Sequence, residues 1–514
     1  MIIDKIPLLR KKGAIPVVLA SSLSLLVLTA VGAYQQLPNF FQTNLFPPGF
    51  TARINPGSIG RRTSLRMKLP SDSNPMRAYA SKVAASTSGS TLASLGQQLF
   101  NDTTLSYPKG QACVSCHSPS VAFTFPNSAI NLTMGPVPGA VHGRFGNRLV
   151  PSVTYAKFSP PGPFYDPDVQ TYVGGQFWDG RATDQTAQAQ FPEFNPNEMN
   201  DIVDNQHPSP ALLMDKLAHS PEAGAFRSVF GQHAFEDSHQ VNLQRIGQAI
   251  AAFEATSNVS PFTSKYDAYL KGQATLTASE MNGLVLFTGS VTGRPGGPAA
   301  YKNAKCNDCH GIPNDPSSGP DIFSNFCYTN IGVPRNPGNP FYAETDKHSN
   351  PLGYNPQGTA YVDLGLGDFL YPSYGLPSGN QGKGANGQGD FLAINGTFKA
   401  PSLRNIDKRP SAGFVRAYMH NGNFKSLQDV VHFYNTRNLT TYPGEVIDFT
   451  KPNPYAGLKG KPLQRQPEYP SLVTLNNPQG LTPEQGGEVG NLGLTPQEEE
   501  DIIAFLKTLS DGYR

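Results

Sequence analysis

Excess charge of either sign is missing from this chain. Forty Lys and Arg face 38 Asp and Glu, a net charge of +2 over 514 residues, and no basic block is dense. That removes the electrostatic footing a nucleic-acid partner needs. Long hydrophobic runs are equally rare. The one long hydrophobic stretch, the uncharged Gly13 to Ala33, follows the basic trio Arg10, Lys11 and Lys12. Its length lies between a signal peptide and the roughly 20 residues of a membrane span, so residues 1–34 read as an export segment. It is either cleaved before Tyr34, where Val31 and Ala33 suit a cleavage site, or retained as an N-terminal anchor. With no second such run, everything beyond residue 34 is expected to be soluble on the periplasmic, or otherwise extracytoplasmic, side of the membrane. Sustained strand-like alternation is also absent, which excludes a large sheet and predicts a mainly α fold.

Cysteine is sparse as well, at five residues with ten histidines, yet four of the five fall into two copies of one pentapeptide: Cys113–Val114–Ser115–Cys116–His117 and Cys306–Asn307–Asp308–Cys309–His310. In C-x-x-C-H the two thiols, one helical turn apart, attach a porphyrin through thioethers, and the histidine becomes the proximal iron ligand. Two copies predict two covalently bound haem c groups, with His117 and His310 on the irons. A zinc site is the competing reading, but zinc ribbons bring their cysteine pairs about 15–20 residues apart and do not require a histidine after each. Cys327 is left without a partner in the sequence and reads as a buried small apolar side chain.

Glycine (51) and proline (47) together make up about 19% of the chain, against about 12% in ordinary usage. A loop-rich protein follows, with haem supplying buried apolar surface. Residues 35–88 show no periodicity and read as a tether. Leu92, Leu95, Leu99 and Phe100 mark a helix just before the first haem motif, and Leu243, Ile246, Ile250 and Phe253 another that closes the first unit. The pattern then restarts. Thr277 with Glu280 forms a capping box ahead of Leu284, Leu286 and Phe287, and the second motif follows. Pro334 to Gly396 carries no regular pattern. Ser426 with Asp429 opens a helix bearing Val430, Val431 and Tyr434; Thr495, Pro496 and Glu498 open the last, with Ile502, Phe505, Leu506 and Leu509. The expected organisation is two tandem cytochrome c-like haem domains with long irregular loops, over residues 89–265 and 266–514.

The chain resembles the bacterial di-haem cytochrome c peroxidases and their MauG-type relatives. The likeness runs from about residue 91 to 510, through LGQQLFNDTTLS, CVSCHSPSVAFT, FWDGRA, AIAAFEAT, SPFTSKYDAYLKG, NIGVP, FKAPSLRN, YMHNGNFKSLQDVVHFYN and LTPQEEEDIIAFLKTLSDG. The resemblance implies that the N-terminal haem, on His117, reacts with peroxide and that the C-terminal haem, on His310, transfers electrons. It places Trp178, the only tryptophan, between them as a relay. Gln188 and Glu198, ten and twenty positions on, match the distal glutamine and glutamate, with Pro192 as a pocket wall. The chemistry calls for such a carboxyl: breaking a peroxide O–O bond requires a proton moved from one oxygen to the other, and Glu198 is assigned that task, with Gln188 orienting.

The same resemblance makes His142, followed by Pro151, a candidate sixth ligand of the first haem, against an open position. It places Tyr434 over the second haem, where peroxidases carry methionine and MauG tyrosine. Met419 and His432 are the rival ligands. A phenolate favours ferric iron, a thioether ferrous. The family often holds calcium between its haem domains through an asparagine; Leu149 stands at that place here, which counts against calcium, with Asn147 as a substitute. Arg404 is expected to contact a haem propionate, since guanidinium forks suit carboxylates. The leading function is reduction of hydrogen peroxide to water with electrons from a small redox protein. The alternatives are peroxide-driven oxidation of a partner protein's side chains, and a non-catalytic di-haem electron carrier.

Overall fold

Leu95, Leu99 and Phe100 are buried on one face of α1 (Ser90–Asn101), which runs into the first haem motif at α2 (Cys113–Cys116). The structure, a computed structural model, describes residues 90–514 apart from 168, 170, 205–206, 316, 318, 345–354, 356, 371–393 and 438–488. The export segment and the tether read from the sequence lie outside the described residues. The other helices are α3 (Ser128–Thr133), α4 (Gln185–Gln188), α5 (Pro210–Ala218), α6 (Ala223–Phe230), α7 (His239–Glu254), α8 (Lys265–Leu270), α9 (Ala278–Thr288), α10 (Leu366–Leu370), α11 (Leu427–Thr436) and α12 (Pro496–Lys507).

Strands are few and short among the described residues, in three antiparallel two-stranded ribbons: β1 (Phe164–Asp166) with β2 (Thr171–Val173), β3 (Ile202–Val203) with β4 (His207–Pro208), and β5 (Tyr328–Thr329) with β6 (Phe398–Lys399). The fold is mainly α, with irregular segments between the helices. Within Pro334–Gly396, read as irregular, the described residues form a 3₁₀ turn (Pro340–Ala343) and α10.

Caps start the helices where the sequence placed them. Thr277 Oγ1 accepts the Glu280 amide and Glu280 Oε2 accepts the Thr277 amide at 2.7 Å. Thr495 and Glu498 repeat the exchange at α12, and Ser426 caps α11. Such a cap contributes about 1 kcal/mol.

Two cores form. One gathers Leu95, Leu99, Phe100, Leu213, Phe226, Leu243, Ile246 and Ile250, the other Tyr266, Leu286, Phe287, Phe323, Phe433, Ile502 and Phe505. Each is closed by a pair of crossing helices, α1 on α7 and α9 on α12. In both pairs a glycine makes the approach possible. A Cβ on Gly96 would intrude on the Ala249 carbonyl of α7, and one on Gly283 would intrude on the Asp501 carbonyl of α12.

Asp511, just after α12, ties that helix end to the cluster around Tyr155. Asp511 accepts hydrogen bonds from the Tyr155 hydroxyl (2.8 Å), the Thr263 amide (2.8 Å) and Asn405 Nδ2 (2.7 Å). Among the described residues no helix is long and apolar enough to cross a membrane.

Candidate functional site

Each C-x-x-C-H segment is a single tight turn. The His117 amide donates to the Cys113 carbonyl at 2.8 Å, and the His310 amide to the Cys306 carbonyl at 2.9 Å, so both thiols and the imidazole of each motif issue from one turn. His117 Nδ1 hydrogen-bonds the Phe123 carbonyl at 3.0 Å; His310 Nδ1 is held by the carbonyls of Phe323 (3.2 Å) and Pro401 (3.1 Å). A carbonyl at Nδ1 accepts a hydrogen bond from Nδ1–H and so leaves Nε2 as the ligand atom. Burial lowers the basicity of both rings, His310 to about 4, which keeps them in the neutral, iron-binding form. A cavity of about 380 Å³ opens beside Cys116, lined by Pro108, Gln111, Phe125, Pro138 and Ala140. The residues at both motifs therefore fit c-type haem.

Glu198 is tied to a wall residue of this cavity. Its backbone carbonyl accepts the Ala140 amide at 2.7 Å, which latches the cavity wall to it, and its side chain accepts from Asn195 Nδ2 at 2.8 Å. Burial raises its pKa, against the lowering pull of Arg181. The carboxylate is near enough to Cys116 that, after burial, it is the next cause holding that thiol up at about 12. Gln188 ends α4, half-buried, and its carbonyl accepts the Phe191 amide at the start of the Pro192 turn that leads to Glu198.

Two further carboxyls adjoin the first motif, and the sequence reading had assigned neither. Glu193, directly after Pro192, is 2% exposed with no hydrogen-bond partner on Oε2. Glu254, at the end of α7, accepts from Gln185 Nε2 at 2.8 Å. Burial raises both to about 8, and both raise the Cys113 thiol. Their only local signals were a carboxylate after a wall proline and one on the apolar face of AIAAFEAT. A carboxyl raised to about 8 in the fold and near 4.5 when unfolded holds its proton longer in the native state, so its contribution to stability is full below pH 4.5 and lost as pH rises through 8. Before haem loading, the native protein is therefore expected to lose up to about 1.4 kcal/mol per pH unit relative to Glu254→Gln between pH 5 and 8. Urea midpoints of the two proteins across that range check it; parallel profiles would refute it.

Trp178 is held between two distant stretches of the chain. Its indole Nε1 donates to the Leu149 carbonyl at 2.8 Å, and its own carbonyl accepts the Lys399 amide of β6 at 2.9 Å. Next to it, Asp179 pairs with Arg148 at 2.6 Å and with Arg181 at 3.0 Å. Arg148 also makes a two-pronged pair with Asp363, 2.7 Å on each arm. Burial alone would raise Asp179, but Arg181 and Arg148 hold it down at about 2. The Lys399 ammonium is buried against the Gly175 carbonyl, and burial lowers it to about 7.

At the second motif Tyr434 is half-buried on α11, with burial and then Cys309 and Cys306 pushing its pKa up. His432, two residues away, is buried, and its Nδ1 pairs with Glu499 of α12 at 2.9 Å. Met419 packs on the same core at a left-handed turn residue, φ 67°. Cys327 is buried and packs against Cys309.

Three candidate residues have settings of their own. His142 is exposed, on the loop that carries Ala140. Arg404 does grip a carboxylate, but that of Asp267, at 2.9 Å on both arms, with Nε on the Asp321 carbonyl at 2.6 Å. This guanidinium is satisfied without a propionate. Asn147, the substitute calcium ligand, donates its amide to the Tyr361 hydroxyl at 3.1 Å, and the cation beside it is Arg148. Among the described residues no three His, Cys, Asp or Glu side chains cluster to hold a metal ion.

Two haem turns with locked proximal histidines, on a mainly α scaffold with a buried glutamate at one of them, define a two-haem cytochrome c. The family model for di-haem cytochrome c peroxidase matches residues 90–275. The methylamine utilization protein MauG of Paracoccus denitrificans is 31% identical over 82% of this chain and 88% of its own. Cytochrome c551 peroxidase of Pseudomonas aeruginosa is 28% identical over 66% and 69%. The crystal structure of the diheme peroxidase BthA from Burkholderia thailandensis superposes with a TM-score of 0.57 at 28% identity, covering 82% of this chain and 86% of that one. The chain belongs to the di-haem cytochrome c peroxidase and MauG family, and is a peroxide-using oxidoreductase with haem c cofactors.

Proposed function

We propose that this protein is an exported peroxidase that reduces hydrogen peroxide to water with two electrons from a small redox protein. Its haems are attached through Cys113 and Cys116, and through Cys306 and Cys309. Electrons enter at the His310 site and reach the His117 site by way of Trp178. Haem iron at His117 supplies the redox centre at which the O–O bond breaks. Glu198 carries this reading: it is a half-buried carboxyl with a raised pKa, fixed by Asn195 and bonded through its backbone to the wall of a cavity that adjoins a haem-attaching cysteine. Such a group takes a proton from one peroxide oxygen and returns it to the other. Gln188 orients the bound peroxide, and Pro192 shapes the wall.

Tyr434 supports a second reading. A tyrosine oxygen rather than a thioether at the second site, bound as phenolate, would favour the oxidised state, which suits an enzyme that directs oxidising equivalents at the side chains of a partner protein. Stopped-flow spectroscopy of the haem-loaded protein mixed with peroxide, fully oxidised and half-reduced, tests both. Spectral change followed by steady oxidation of a reduced donor supports the peroxidase. Change without donor turnover, with modification of a partner protein, supports the second reading. No response in either state would overturn both and leave an electron carrier.

A further inference from the structure

We propose that Arg148 is the positioning residue for Trp178, and that its bridge to Asp363 makes the setting of the indole depend on a segment far along the chain. The inference rests on Trp178 being the relay of the proposed function only for its kinetic consequence; the geometry stands without it. Two consecutive residues hold two consecutive residues: Arg148 pairs with Asp179 at 2.6 Å, and the Leu149 carbonyl accepts Trp178 Nε1 at 2.8 Å. A side chain tied through its own N–H and through its neighbour's carboxylate has one setting, whereas either tie alone leaves a torsion free. The guanidinium is 8% exposed, Asp179 8% and Asp363 4%.

The far arm gives the clamp its reach. Asp363 lies 215 residues away in sequence, next to Leu364 and α10, which pack on the β5–β6 side of the molecule. Leu149 adds a parallel tie, its amide donating to the His420 carbonyl at 2.7 Å, and Lys399 of β6 donates its amide to the Trp178 carbonyl. Arg148 is the one side chain among these that joins the tryptophan loop to a carboxylate beyond it. Arg148 and Arg181 balance Asp179 and Asp363 in charge, so the cluster holds its cations without a further counter-ion. A lysine offers a point charge but no fork, and cannot span both carboxylates with fixed geometry.

The chain's single tryptophan gives a direct readout. In haem-loaded protein carrying 5-fluorotryptophan, with both haems held in one oxidation state, wild type is expected to show one sharp ¹⁹F line. Arg148→Met and Asp363→Asn are expected to split or broaden it, and Arg148→Lys to do so less. In half-reduced protein, electron redistribution between the haems is expected to slow about tenfold or more in Arg148→Met, since small misplacements in a positioned site carry penalties of that order. An unchanged line in the Arg148 and Asp363 variants overturns the proposal. A changed line with an unchanged redistribution rate upholds the positioning and removes Trp178 as relay. If Arg148→Met does not load two haems, Asp363→Asn, which keeps the Arg148–Asp179 pair, decides.

Discussion

Glu198→Gln is expected to lower kcat/KM for peroxide consumption by about 10² to 10⁴, the range that general acid–base catalysis supplies. The substitution is close to isosteric, and the new carbonyl oxygen still accepts from Asn195 Nδ2, so the backbone latch to Ala140 and the cavity wall stay in place. What disappears is the ability to hold a proton and give it back. Peroxide consumption measured against a reduced donor, on protein shown to carry two haems, checks this; a rate within about threefold of wild type would mean that another group carries the proton. The neighbour to examine next is Glu193, buried and raised to about 8, with an unpartnered oxygen. Glu193→Gln should leave most of the rate intact if Glu198 acts alone.

The second large effect concerns stability. Gly283→Ala sets two terms against each other. Alanine gains about 1 kcal/mol of helix propensity over glycine. The new methyl, however, intrudes on the Asp501 carbonyl and crowds Phe505 Cβ, backbone and near-backbone atoms that cannot rotate aside. Overpacking of that kind costs about 1–3 kcal/mol or more, and here α9 must part from α12 to relieve it. The clash is expected to win, with a lower denaturation midpoint for Gly283→Ala and loss of haem-loaded protein for Gly283→Val. Gly96→Ala, against the Ala249 carbonyl, should behave likewise in the first core. A midpoint that rises in either alanine variant would show that the crossing has slack.

Local features were readable in advance. Both haem turns, the Thr277–Glu280 and Thr495–Glu498 capping boxes and the apolar stripes of α1, α7 and α12 depend on residues a few positions apart, where side-chain chemistry and helix periodicity act directly. Pairings across the fold were not. Arg404 was expected to take a propionate, and the preference of a guanidinium fork for a carboxylate held, but the partner is Asp267, 137 residues away. Arg148 and Asp363 have no shared pattern that would announce their bridge. The exposure of His142 and the pairing of His432 with Glu499 are likewise set by the path of the chain.

The repeated glycine crossings also set a timetable for a polypeptide that appears N-terminus first. The partner of α1 is finished by Glu254, so the first half can clasp shut while about half of the 514-residue sequence is still to come. The partner of α9 begins only at Pro496, and until then the later half stays ajar. Whatever machinery delivers porphyrin thus meets two doorways that close at different moments, the His117 one early and the His310 one nearly last.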